Sequence, residues 1–238
     1  MKAQHVHSRR AWTQQALSGA LKIANDASRR IEGYGQRLPS QVTAADHTWA
    51  SQNARLIVQL VEMLAAGDVG EAVKTSVAEM HPIKASRDLS MAQNAAWILD
   101  QAPPGAKVVV WAHNLHVSRS EGWMGAHLAK RYGDELVVIG FAFAAGSYRT
   151  GLEVHEAAPP PAESVERLLQ ETGLPALVLD LRKTPPRSPV RAWFSQSRPF
   201  RAIGPVATHE QFFPTVVGDA YNILVYFDRT TPTTLVSN

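Results

Sequence analysis

The chain has 238 residues, 45% of them hydrophobic and 19% charged, a formal charge of +3 and no cysteine. That length supports one large folded unit or two small ones, and the composition is ordinary for a globular protein with a sizeable core. The lack of cysteine excludes disulfides, thiolate nucleophiles and cysteine-ligated zinc, so a metal would need His and carboxylate ligands; the basic residues Arg9, Arg10, Arg29, Arg30, Arg182 and Lys183 are scattered rather than interleaved with aromatics, which argues against nucleic acid as a partner.

The first twenty-six residues, MKAQHVHSRRAWTQQALSGALKIAND, are polar and hold no apolar stretch long enough for a secretory signal. No later window approaches the length of a membrane span. The expectation is a cytoplasmic protein with no membrane partner. The first hundred residues read as helical. SQVTAADHTWASQNARLIVQLVEMLAAG, from Ser40, sets Val42, Ala45, Trp49, Leu56, Leu60 and Leu64, with Ile57 and Val61, near a 3.6-residue period, and Gly67 is the expected stop. SRDLSMAQNAAWILDQAPPG follows as a second helix with Ser86 as its expected N-cap, ended by Pro103, Pro104 and Gly105.

After Gly105 strand and helix alternate. KVVVWA (107–112) reads as a strand, 121–132 as a helix, ELVVIGFAFA as a strand, AESVERLLQETG as a helix, PALVLDL as a strand and YNILVYFD as the last strand. These runs are apolar without strict alternation, the pattern of strands buried on both faces. The expected class is α/β, a mainly parallel sheet with flanking helices preceded by a helical region. One domain covers 1–238, with 1–104 helical and 105–238 carrying the sheet; the AAPPPA stretch at 157–162 is a stiff loop inside it. KTPPRSPVRAWFSQSRPFRAIG reads as irregular, and its aromatics Trp193, Phe194 and Phe200 read as ordinary packing.

VVVWAHNLHVSRS (108–120) carries the chemistry. His113 and His116 stand three apart at the carboxyl end of the expected 107–112 strand, where open α/β sheets place ligands. Imidazole titrates near neutrality, so one ring suits proton abstraction from water while the other holds a substrate oxygen. Asn114 suits orienting a ring or donating to an oxyanion. Alone, His-x-x-His supplies two metal ligands, one short of the usual catalytic zinc set.

WAHNLHVSRS followed by MGAHLAKRYGDELVVIGFAFAAGSYR resembles the erythromycin esterase family. RDLSMAQNAAWIL (87–99) is similar to that family's helix ahead of the motif strand, and RAIGPVATHEQFFPTVVGDAYNILVYFDRTTPTTL resembles its C-terminal end, so the quoted motifs run from about 85 to 235. The resemblance implies hydrolysis of a carboxylic ester or macrolide lactone by water, hence a place in antibiotic resistance. It implies catalytic roles for His113, His116 and Arg87, with His as general base and Arg87 stabilising the carbonyl oxygen, and a substrate-contacting or His-orienting role for Glu210. No metal or other cofactor is expected.

The family's earlier Gly-Glu-x-x-His-Gly segment does not occur in this sequence; Ala78-Glu79-Met80-His81-Pro82 lacks its glycines and preceding strand. The chain is therefore expected to correspond to the family's C-terminal portion. Activity would require that the residues of that segment be compensated. The alternative is a truncated, inactive remnant that binds a small molecule or protein. Absence of the family's first half also implies an exposed sheet edge, and with it self-association. A metal-dependent hydrolase using His113, His116 and a distant carboxylate is a third reading.

Overall fold

In a computed structural model, residues 14–35, 37–66, 81–204 and 210–235 are described, with side chains omitted for 81–84. The chain divides into two compact units, Met1–Met91 and Ala92–Asn238. In the first, helix α1 (Gln14–Tyr34) packs on helix α2 (Ala44–Ala65). Thr43 starts α2 with a reciprocal cap: its Oγ1 accepts from the Asp46 amide at 3.1 Å, and the Asp46 carboxylate accepts from the Thr43 amide at 3.0 Å. His47 Nε2 lies 2.7 Å from the Ile31 carbonyl, tying the two helices together. Of the apolar face expected on α2, Trp49, Leu56, Ile57 and Leu60 keep 41–57% of their surface, and the residues buried are instead Gln52, Ala54, Val58 and Gln59. Gly67 and Glu79 lie outside the described residues.

Helix α3 (His81–Asp100) crosses the division between the units. It begins five residues ahead of Ser86, whose carbonyl accepts from Ser90 Oγ inside the helix; the N-cap expected there is corrected. In the second unit follow α4 (Asn114–Val117), α5 (Met124–Tyr132), β1 (Ile139–Thr150), β2 (Glu153–Glu156), α6 (Val165–Gln170), β3 (Ala176–Asp180), α7 (Pro189–Phe194), β4 (Ser197–Arg201), β5 (Phe212–Val216), α8 (Val217–Ala220) and β6 (Ile223–Thr230). The stretch expected to be irregular thus holds α7 and β4. Ser188 caps α7 through the Arg191 amide, with Pro189 in its first turn.

The main sheet has the order β2-β1-β6-β3, and β4 pairs with β5 separately. It is mixed, not mainly parallel. β1 runs parallel to β6 (Ile139↔Ile223, Phe141↔Val225), while β3 is antiparallel to β6 and β2 antiparallel to β1. The reason is the hairpin at Gly151: an ordinary strand–helix–strand unit reverses twice and returns parallel, and the turn into β2 adds a third reversal, so β3 enters the sheet the opposite way.

Burial is one-sided as well. Ala142 and Ala144 of β1 and Leu224 and Tyr226 of β6 face a core completed by Val165, Leu169, Phe194, Phe200 and Tyr221. Alternate residues point away, leaving Ile139, Phe141, Val178 and Phe227 exposed by 42–70%. An apolar run alone does not distinguish one covered face from two. Tyr221 approaches β1 so closely that a Cβ on Gly140 would stand 2.8 Å from its ring, which requires glycine there.

Residues 107–112 correct the remaining expectation, since no strand forms. They join no ladder among the described residues. Val109 and Trp111 are 88% and 84% exposed while Val108 and Val110 are half covered, the alternation of a strand without its neighbours.

Candidate functional site

Both sequence-selected histidines sit on the single turn of α4, bolted to the sheet from three sides. The Asn114 amide acts as a substitute strand partner: Nδ2 donates to the Phe141 carbonyl at 2.6 Å and Oδ1 accepts from the Phe141 amide at 3.0 Å. Tyr221 Oη donates to the Asn114 carbonyl at 3.2 Å. Arg119, just after the turn, donates from its backbone N–H to the Ala220 carbonyl and from Nε to the Asp219 carbonyl. Helix α5 closes in through Gly125, where a Cβ would collide with the carbonyls of Val117 and Ser118.

His113 caps α4, its Nδ1 accepting from the Leu115 amide at 3.2 Å. The backbone of Ile203 favours the protonated ring. Burial of the ring lowers its pKa below 6.5; the Ile203 contact opposes this and the adjacent His116 adds to it. The ring is therefore neutral at pH 7 although the residue keeps accessible surface. His116 sets its ring edge-on to Trp123, centroids 5.5 Å apart.

Beside the turn opens a groove of about 1300 Å³ whose walls include Val109, Trp111, His113, Phe141, Tyr148 and Arg201. Trp111 and Phe141 have their centroids 5.7 Å apart. One wall is apolar, and the other ends in polar groups that the sequence reading did not single out. Arg201, 4% exposed, donates from Nη2 to the carbonyls of Ala144 (3.1 Å) and Ala158 (2.8 Å), from Nε to that of Phe143 (3.3 Å) and from Nη1 to Gln211 Oε1. Its guanidinium lies between the rings of Phe143 and Phe212. Behind it, fully buried Glu166 accepts the Arg201 amide at 2.8 Å, and burial pushes its carboxyl up to about 7.

The structure thus brings together His113, Asn114 and His116. Only the first two are groove-lining, with His116 on the Trp123 side of the turn. Arg87 is exposed on the part of α3 that belongs to the first unit. Glu210 is exposed, whereas its neighbour Gln211 is 6% exposed and meets the groove network. Periodicity gives no signal for Arg201 or Gln211, because their value lies in contacts between β1, the 157–164 loop and β4.

The erythromycin esterase family model matches residues 2–230. The chain belongs to the erythromycin esterase family. The match begins far ahead of the motifs that carried the resemblance, so the helical N-terminal region is included. YbfO of Bacillus subtilis, named as a hydrolase, is 30% identical over 116 residues, covering 41% of this chain and 26% of YbfO. A Bacillus cereus protein of known crystal structure superposes with a TM-score of 0.78 at 23% identity, covering 94% of this chain and 55% of that one. A mutant of the erythromycin esterase EreC in its open conformation superposes with a TM-score of 0.59 at 14% identity, over 90% of this chain and 52% of EreC. The chain spans about half the length of these solved relatives, and its match to YbfO covers about a quarter of YbfO. At such identities the superpositions establish the fold, and it is mixed α/β with a helical N-terminal region.

Proposed function

We propose that this protein hydrolyses carboxylic esters, macrolide lactones among them, in the cytoplasm. Water adds to the carbonyl carbon as a histidine takes its proton, and the tetrahedral intermediate collapses with cleavage of the C–O bond, the alcohol leaving with a proton returned by the histidinium. Arg87, on the family pattern, offsets negative charge on the carbonyl oxygen, and Glu210 contacts substrate or orients a histidine. The observation that carries the reading is His113, held neutral and fixed on the wall of a groove large enough for a bulky apolar ester.

The test is mass spectrometry of a macrolide and of 4-nitrophenyl butyrate incubated with the protein. Ring opening adds one water to the lactone, and His113→Ala and His116→Ala should each abolish the reaction. Intact lactone and ester after long incubation would refute the proposal.

One observation favours a second reading, a family member that binds without turnover. The apolar run Val108–Trp111 pairs with no strand among the described residues and keeps 37–88% of its surface exposed. In that reading the protein binds an apolar small molecule in the groove, or self-associates along the edge, and the same assay returns unchanged ester.

A further inference from the structure

Arg201, Gln211 and Tyr148 form a chain of hydrogen bonds whose directions can be assigned from donor and acceptor chemistry. A buried guanidinium has only donors. Arg201 Nη1 therefore fixes Gln211 Oε1 as the acceptor, and the Ala158 amide donates to the same oxygen at 3.0 Å. With its oxygen held by two donors, the Gln211 amide has one orientation, and Nε2 donates to Tyr148 Oη at 3.3 Å. The phenol oxygen is thus the acceptor in that bond, so the Tyr148 proton must go elsewhere. Among the described residues no acceptor takes it. Tyr148 is half-buried on the wall of the groove that His113 also lines.

We propose that the Tyr148 hydroxyl donates a hydrogen bond to the substrate's carbonyl oxygen, with Gln211 and Arg201 as the positioning residues that aim it. This deepens the hydrolase reading and rests on it for the reaction, though not for ligand binding. A cation feeding an amide that feeds a phenol polarises each bond along the chain and makes the terminal O–H a stronger donor. Such a donor, fixed before substrate arrives, gains strength as the carbonyl oxygen becomes an oxyanion. It adds to the role assigned to Arg87 and comes from the same unit as His113. The buried charge has a reason in this scheme: Arg201 determines which end of Gln211 faces the phenol. The Tyr148 ring itself packs 5.5 Å from the His155 ring, a contact that phenylalanine retains.

Two variants and two readouts test this. The probes are methyl phenylphosphonate, a monoanion with the tetrahedral shape of the intermediate, followed by calorimetry, and 4-nitrophenyl butyrate, followed by kcat and KM. Tyr148→Phe should weaken phosphonate binding at least tenfold and lower kcat at least tenfold with KM little changed. Gln211→Glu keeps the phenol but offers it a carboxylate; the Tyr148 proton turns inward, and the variant should lose phosphonate affinity as Tyr148→Phe does, without further loss in the double variant. A wild-type protein that fails to bind the phosphonate, or a Tyr148→Phe variant that binds it unchanged, overturns the proposal. A protein that hydrolyses no ester yet loses phosphonate binding in both variants keeps the Tyr148 assignment and refutes the hydrolase reading instead.

Discussion

Replacing Glu166 by glutamine should change the pH dependence of stability in a calculable way. The residue is fully buried, and burial outweighs both the hydrogen bond from the Arg201 amide and the charge of Arg201, moving its pKa from 4.5 to about 7. A raised carboxyl pKa means that the folded state holds its proton longer than the unfolded state. The associated stability is complete below pH 4.5, falls as pH rises, and is gone above about 7. A shift of this size amounts to ~3 kcal/mol across that interval. Glutamine keeps an oxygen for the Arg201 amide and cannot ionise. Its buried NH₂, at the place of an Oε2 that has no hydrogen-bond partner, imposes a penalty of about 1–3 kcal/mol that does not vary with pH. The difference between the two proteins therefore isolates the titration. Calorimetric melting from pH 5 to 8 should show the wild type losing stability relative to Glu166→Gln by up to ~3 kcal/mol, roughly 10 °C in Tm for a unit of this size. Melting profiles that stay parallel over that range would refute the buried-charge account of Glu166.

The acid limb of the pH–rate profile should have its midpoint below 6.5, because the neutral form of His113 is the base and burial delays its protonation as pH falls; a midpoint at or above 6.5 would place the base elsewhere. Asn114→Ala removes both bonds to Phe141 and should cost about 1–3 kcal/mol, measured by urea unfolding, together with hydrolysis. Unchanged stability would show that the turn is held by other contacts. Val109 is 88% exposed, so Val109→Lys should leave folding intact within about 0.5 kcal/mol. It should also reduce dye binding and the proposed edge-to-edge association seen by light scattering. A wild-type protein that is monodisperse and dye-silent would remove the association proposal.

Local chemistry made several elements legible in advance. The helices described ahead of Gln101 follow from a 3.6-residue apolar rhythm, and β1, β3 and β6 follow from β-branched and aromatic runs bounded by turns. His113, Asn114 and His116 stood out because titratable groups rarely follow so apolar a run, and these three do share one turn. The Ser188-Pro189 start of α7 was present in the sequence, yet the arginine- and proline-rich surroundings obscured it.

Strand direction was not legible, because it depends on counting reversals through the Gly151 hairpin. Nor was the state of Lys107–Ala112, whose sequence has every property of a strand. A strand is completed by its neighbours' backbone groups, and none of the described residues supplies them. The amino-acid order determined which segments are helical or extended and where the imidazoles fall along the chain. Tertiary packing decided what each polar group meets: the Phe141 backbone for Asn114, a cage of carbonyls for Arg201 and a fixed amide for Tyr148. Hydrogen-bond partners a hundred residues apart leave no periodic trace in sequence, because proximity between them is created by folding alone.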